Sequence, residues 1–410
     1  MKKLFLVFAI IIGLLMIACP TEPPNDCECC NICTSDCLGD CCDDCDFYDD
    51  SGNDDDCNVC GNDPCTCYIG GDDCNVCGND PCTCDEPNVL KSPEEVSEFL
   101  ASDIGGNSVD NAIDLIVQFP LGIMTASNSG WQQLLSVIED SGKYVNLDLS
   151  ACEMEADGIF DPDYTVEDGK EWIVSLILPD AATIIADGDW YYLIGAFGFF
   201  SNLMEIFGEN VETIGDLAFV YVDFNEEYIG NLTIVNFPEV TSIGEYAFAL
   251  CTSLVEVNFP LVESIGNNAF MVCTSLVEVN FPKAVSIGSE AFAYCESLVE
   301  VNFPVAESIG DRAFNECTSL VEVNFPVAES IGDGAFSLCT SLVEVNFPLV
   351  EIIGHSAFYG CTSLSIITIA FDCDINVNSG IRGDFYTYYK TQSKTDGTYI
   401  FDGDAWTGPF

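Results

Sequence analysis

The chain has 410 residues with 68 Asp and Glu against 10 Lys and Arg, a formal net charge of −58, and 25 cysteines. Nucleic-acid binding is excluded as a class, because phosphate recognition needs clustered Lys and Arg, whereas Lys283 and Arg312 are the only such residues between 241 and 364. Acidity this strong favours solubility and repels anionic surfaces, which leaves cations and basic surfaces as partners.

In chain order, Met1-Lys2-Lys3 precedes an apolar run at 4–17 that is too short to span a bilayer comfortably and has the charged start of a secretory signal. Met16-Ile17-Ala18-Cys19 resembles a bacterial lipobox. That resemblance implies cleavage after residue 18 and a lipid on Cys19, with a plain signal peptide or an uncleaved anchor as the alternatives.

Residues 20–87 hold sixteen cysteines, many aspartates, no Lys or Arg, and almost no large apolar side chains, so they cannot build a hydrophobic core. One module occurs twice, with Cys57, Cys60, Cys65 and Cys67 repeated as Cys74, Cys77, Cys82 and Cys84. Four thiols per module suit either a closed tetrahedral zinc site or a disulfide framework, and both readings stay open. Either way the segment is expected to be a disordered or disulfide-stapled stalk. The aspartates lack the spacing of a calcium loop.

A folded segment is expected from about residue 88. Ser92-Pro93-Glu94-Glu95 predicts a helix start, with Ser92 as N-cap and Glu95 closing a capping box, and Val96, Phe99 and Leu100 supply an apolar face. A second helix is predicted from Gly130 or Trp131 to Asp140, with Leu134, Leu135 and Ile138 inward and Gly142 ending it. An alternating strand is predicted at 144–149. Together these predict an N-terminal α/β cap over the first open edge of the repeats downstream.

From 241 to 364 the chain repeats every 22 residues: Cys251, Cys273, Cys295, Cys317, Cys339 and Cys361 fall three residues after Phe248, Phe270, Phe292, Phe314, Phe336 and Phe358. A short β-type run once per period of this length is the sign of a leucine-rich-repeat solenoid. Leu254, Val257, Phe259, Val262, Ile265, Ala269, Phe270 and Cys273 recur as apolar or small residues and are predicted to line the interior. One such unit buries too little to fold alone, so stacking on neighbours supplies the rest. Degenerate turns precede the array: Ile173 to Pro179 aligns with Leu254 to Pro260, and Ile184 with Ile265. The step from Ile214 to Ile243 is 29 residues, which predicts an insertion within 222–230. Residues 371–410 are expected to cap the far end, with a hairpin of 385–390 and 398–402.

The motif Ile-Gly-x-x-Ala-Phe-x-x-Cys-x-Ser-Leu, present from Ile265 to Leu276 and from Ile309 to Leu320, resembles the BspA-type leucine-rich repeat of bacterial surface proteins over about 206–369. The resemblance implies a surface-exposed solenoid, and some members of that family act as adhesins for host matrix proteins or other cells. The expected organisation is a signal peptide at 1–18, a lipid-anchored Cys/Asp-rich stalk at 19–87, an N-terminal cap at 88–143, an α/β-type repeat solenoid at 144–370, and a C-terminal cap at 371–410.

Outward strand positions are predicted to stack at about 4.8 Å. Glu256, Glu278, Glu300, Glu322 and Glu344 form one column, and Asn258, Asn280, Asn302, Asn324 and Asn346 a second whose amides can hydrogen-bond along the stack. Like charges so arranged repel, and a divalent cation or a basic partner would relieve them. This concave strip is the candidate partner-binding surface; duplication of one solvated glutamate explains the same column without function. The cysteine column is read as buried apolar filler, since disulfides between adjacent turns would distort an even stack. Nothing points to an enzyme: the single histidine, His355, falls at a variable solvent position, and nucleophile, zinc-protease and phosphate-loop motifs are absent.

The expected function is therefore a cell-surface or outer-membrane lipoprotein whose solenoid binds a macromolecular partner, in adhesion to host matrix or other cells, with no cofactor in the solenoid. The alternative is a thiol-rich metal-binding or envelope-spacer lipoprotein, with zinc held at 20–87.

Overall fold

The structure is a computed structural model in which the chain divides into two units, Met1–Asn88 and Val89–Phe410. It describes residues 89–410 apart from 103–104, 156, 221–230, 371, 377 and 382–383. The expectations for Cys19, for the cysteine modules and for the insertion at 222–230 lie outside the described residues.

Val89–Phe410 is a solenoid of stacked turns, as the period predicts. A regular turn opens with a three-residue strand such as Glu256–Asn258 and continues into a two-residue strand such as Ser264–Ile265. It closes through turns that carry Ala269, Phe270 and Cys273. The short strands pair in register, Ser242 on Ser264 on Ser286 and so on, in one ten-stranded parallel sheet running from Ile159–Phe160 to Asp374–Ile375. The closing side is laddered as well, since the Phe248 N–H donates to the Ala269 carbonyl at 2.7 Å and Phe270 to Ala291 at 2.7 Å. Backbone groups are thus paired between turns along the short strands and the closing side, as burial requires.

Inside run two columns of phenylalanine. Phe248, Phe270, Phe292, Phe314, Phe336 and Phe358 stack nearly parallel with centroids 5.1 to 5.5 Å apart. Phe237, Phe259, Phe281, Phe303, Phe325 and Phe347 form the second column beneath the longer strands. Leu254, Phe259, Val262, Ile265, Ala269, Phe270 and Cys273 are all buried as predicted, while Val257 is only partly so.

The glycine of each Ile-Gly pair serves close approach. A Cβ on Gly288 would lie 2.5 Å from the Gly266 carbonyl oxygen, and one on Gly266 would lie 2.6 Å from Gly244 backbone. The tight closing turns use left-handed backbone at non-glycine positions, including Val272 at φ 64 and Leu338 at φ 64.

Helices among the described residues lie outside the regular array. Helix α1, Pro93–Leu100, is capped by Ser92, whose hydroxyl accepts from the Glu95 N–H at 3.3 Å. The Glu95 carboxylate accepts from the Lys91 N–H at 2.6 Å, one residue earlier than a standard capping box would place it. Helix α2, Gly130–Ser141, buries Trp131, Leu134, Leu135 and Ile138 and ends at left-handed Gly142. The segment expected only to cover the first edge also contributes strands Val89–Leu90 and Ile113–Val117, parallel to Val145–Asp148.

Two expectations are corrected. Ile185, not Ile184, occupies the position of Ile214 and Ile265, because one extra residue follows the strand Ile173–Ile177. At the far end 385–390 is helical (α3, Phe385–Thr391), which places Phe385 and Tyr389 on one buried face. The hairpin there is instead Gly397–Phe401 with Trp406–Thr407, and the first of these strands pairs antiparallel with Ile366–Ile369, closing the edge.

Candidate functional site

The longer strands alternate inward valine with outward glutamate and asparagine, so every turn presents the same pair at the same height. Glu256, Glu278, Glu300 and Glu322 are exposed, as are Asn258, Asn280, Asn302 and Asn324, while Glu344 and Asn346 are half-buried. Register is exact within pairs of turns: Glu278 lies opposite Glu300 with Asn280 opposite Asn302, and Glu322 opposite Glu344 with Asn324 opposite Asn346.

The amides bond in twos. Asn258 Nδ2 donates to Asn236 Oδ1 at 2.7 Å, Asn302 to Asn280 at 2.7 Å, and Asn346 to Asn324 at 2.8 Å. The strand ladder is interrupted between Glu256–Asn258 and Glu278–Asn280, and again between Glu300–Asn302 and Glu322–Asn324. The strands at Glu256, Glu278, Glu300 and Glu322 thus have a laddered neighbour on one side only, although the short strands pair without a break. A cleft of about 350 Å³ lies along this face, with Ile234, Asn236, Glu256, Asn258 and Asn280 in its lining.

Asn236 belongs to the column and was absent from the expected set. Its signal is legible in Val235-Asn236-Phe237-Pro238, which repeats the strand motif with isoleucine in place of glutamate at 234. Ile234 and Ile366 bound the acidic column at its two ends. Burial, and then the neighbouring Glu300 charge, raise the Glu278 carboxyl above its ordinary value.

A second acidic cleft, of about 510 Å³, is lined by Asp180, Glu209, Glu212 and Glu239 with Thr183 and Asn210. Among the described residues no three His, Cys, Asp or Glu side chains converge in a metal-holding arrangement, and no helix is long and apolar enough to cross a membrane.

The array cysteines are free thiols, buried in the core. Each points at a backbone oxygen of the preceding turn: Cys273 at Phe248, Cys295 at Phe270 and Cys317 at Phe292, all at 3.1 to 3.2 Å. Burial pushes Cys295 up to about 12, so the column is unreactive filler that also supplies a hydrogen bond. His355 is exposed with its Nδ1 2.9 Å from Ser356 Oγ. Among the described residues no carboxylate is hydrogen-bonded to its ring, so the pair lacks the third member of a catalytic triad.

Residues 223–328 and 307–379 match the family description "BspA type Leucine rich repeat region", in six copies. No curated protein matches the chain. Among solved structures, the T. pallidum leucine rich repeat protein is 29% identical over 46% of this chain and 77% of its own, with a TM-score of 0.35. A leucine rich cell surface protein of Faecalibacterium prausnitzii is 20% identical over 67% and 81%, with a TM-score of 0.32. The pneumococcal vaccine antigen PcpA is 16% identical over 62% and 71%, with a TM-score of 0.35.

Proposed function

We propose that this chain, whose repeats between 223 and 379 are a BspA-type leucine-rich repeat region, is a lipid-anchored cell-surface protein that binds a protein partner and carries out no catalysis. The anchor is Cys19, and 20–87 is the stalk. The acidic strand face is the binding surface, serving adhesion to matrix proteins or to other cells.

The single observation that carries this reading is the geometry of that face. Asparagine amides engage one another in pairs, while Glu256, Glu278, Glu300 and Glu322 beside them remain exposed. Repeated carboxylates held by backbone register favour a basic, extended partner surface, and divalent cations are the simplest competitors for the same charge.

Protease treatment of intact cells, followed by detection of the solenoid, tests display: loss of the solenoid with periplasmic markers intact supports it, and protection overturns it in favour of an envelope spacer. Binding of the full chain to immobilised matrix proteins then tests the face. Glu300→Gln with Glu322→Gln is expected to weaken binding several-fold, and unchanged binding removes the face from the site. The thiol-rich segment offers a second reading, zinc binding at Cys57, Cys60, Cys65 and Cys67 and at Cys74, Cys77, Cys82 and Cys84, which metal analysis together with a free-thiol count decides.

A further inference from the structure

Between Ala186 and Ala196 the chain makes an excursion that the regular turns lack. In the next turn the equivalent positions are Gly215 and Ala218, so this turn carries seven added residues. The equivalence rests on Phe197, which stacks on Phe219 at 4.7 Å and donates its N–H to the Ala218 carbonyl, as Phe219 does to Ala247.

The excursion is a closed finger. Gly188 and Gly195 form its neck, where a Cβ on Gly188 would stand 2.7 Å from the Gly195 Cα and one on Gly195 would stand 2.3 Å from the Leu217 carbonyl. Both neck N–H groups donate to the neighbouring turn, Gly188 to Asp216 at 2.7 Å and Gly195 to Val220 at 2.6 Å, and the Asp189 N–H closes onto the Ile194 carbonyl at 2.8 Å. Within the finger, Asp189 Oδ1 accepts from the N–H groups of Tyr191 at 2.7 Å and Tyr192 at 2.8 Å, and Oδ2 accepts from the Tyr164 hydroxyl at 2.9 Å. A loop with this many internal bonds is held in one shape rather than ordered by what it binds.

What the finger holds out is aromatic. Trp190, Tyr191, Tyr192 and Leu193 are 50, 85, 60 and 47% exposed. The Tyr191 and Tyr192 rings meet edge to face at 4.8 Å, and Trp190 meets Tyr246 of a later turn edge to face at 5.7 Å. Tyr246 in turn rests on a small apolar cluster of Leu217, Val220 and Ala249, separate from the main core. Four consecutive exposed large side chains on a braced loop are the composition of an interface anchor, since Trp and Tyr dominate binding hot spots.

Charge selects the occupant. No lysine or arginine lies between Lys170 and Lys283, and Lys170 is buried, so this stretch offers acidic side chains and no exposed cation beside the rings. Of the nearby carboxylates, Asp187 accepts through Oδ1 from the Asp216 N–H at 2.8 Å, and Asp189 accepts through both oxygens, from Tyr164, Tyr191 and Tyr192. These bonds hold Asp189 below its ordinary value, and therefore charged, with the Tyr192 N–H the largest influence. Carboxylates with occupied lone pairs offer little to sugar hydroxyls, yet their charge still acts on a cation over a ring face. The same field repels an anionic lipid surface.

We propose that the finger 188–195 is a docking site for a basic segment of a protein partner, with guanidinium or ammonium groups seated on Trp190, Tyr191 and Tyr192. It is separate from the strand face and stands or falls independently of it.

The test uses the full chain with three probes: a short arginine–glycine repeat peptide, its glutamine–glycine counterpart, and phosphatidylcholine vesicles. Trp190→Ala/Tyr191→Ala/Tyr192→Ala removes the rings without changing net charge, and Tyr191→Ala alone removes the most exposed ring as a variant that keeps the contact to Tyr246. The arginine peptide is expected to bind and the glutamine peptide not, with the triple variant weakening binding roughly three- to tenfold and Tyr191→Ala weakening it less, at unchanged melting temperature. Equal binding by wild type and both variants overturns the proposal, because the field alone would then account for the affinity. Vesicle binding that the triple variant abolishes overturns it in favour of a lipid surface. Loss of peptide binding in Glu300→Gln/Glu322→Gln but in neither finger variant assigns the peptide to the strand face and likewise overturns it.

Discussion

The Cys295 thiol donates to the Phe270 carbonyl at 3.2 Å, and the Phe270 ring stacks on Phe292 at 5.1 Å. One turn is thus fastened to the next through a side chain that the repeat pattern alone marks only as small and apolar. The same bond recurs from Cys339 to Phe314 and from Cys361 to Phe336, at 3.1 and 3.0 Å.

Buried thiols whose ionisation is pushed this high are poor nucleophiles. Alkylation of the native protein is expected to leave Cys273, Cys295, Cys317 and Cys339 untouched, with labelling that tracks global unfolding. Mass spectrometry of peptides cut after glutamate, following timed iodoacetamide exposure, checks this, and native-state labelling of any of the four would contradict the buried ladder.

Gly288→Ala is expected to destabilise the array by about 2 kcal/mol or more, because the new methyl would meet backbone of the Gly266 turn. Val272→Gly is expected to act in the other direction. A β-branched residue at φ 64 pays a left-handed penalty of about 1 to 2 kcal/mol that glycine avoids, and Gly360 already occupies that position in a later turn with φ 78. Urea titration of the two variants compares the signs.

The Glu278 carboxyl is raised in the folded state, by burial and then by Glu300. The native chain therefore binds more protons than the unfolded chain just above the ordinary carboxylate range, so this group's contribution to stability falls as pH rises through that window. Glu278→Gln is expected to melt slightly higher than wild type at neutral pH, with the advantage vanishing in acid. Thermal melts from pH 3 to 7 read it directly.

Lys170 is fully buried, with its ammonium donating to the Asp163 carbonyl and lying 5.5 Å from the Phe200 ring centre. Burial pulls it down to about 8, against the opposing charges of Asp163 and Asp161. Below that pH the buried charge costs its full desolvation, and the cost is relieved as pH rises from about 8 towards the unfolded value of about 10.4. Lys170→Met is expected to lose about 1 to 3 kcal/mol, because it leaves the Asp163 carbonyl without the buried donor that now satisfies it. The deficit should widen between pH 8 and 10 as the wild type gains, and denaturant melts at those two values measure it.

Much of the fold was legible because each turn repeats one local instruction. The spacing of Phe248, Phe270 and Phe292 places one ring per turn inside, and the alternation in Glu256-Val257-Asn258 places glutamate and asparagine outside. Ser92 and Gly142 mark helix ends by local chemistry that needs no distant partner. The helix at 385–391 was less legible: its aromatic-rich sequence suits a strand, and burial of Phe385 and Tyr389 against Tyr399 and Trp406 decides otherwise.

By itself the sequence determined the period, the inward face of each turn, and the columns of glutamate and asparagine, since these depend on which residue types alternate within a few positions. Only the tertiary structure decided that asparagines pair in twos, that the thiols from Cys273 to Cys361 each meet a phenylalanine carbonyl 25 residues back, that Lys170 is sealed inside, and that Trp190 to Leu193 stand outward on a braced finger. Those outcomes depend on partners brought together by stacking, and a local pattern carries no record of which distant group a side chain will meet.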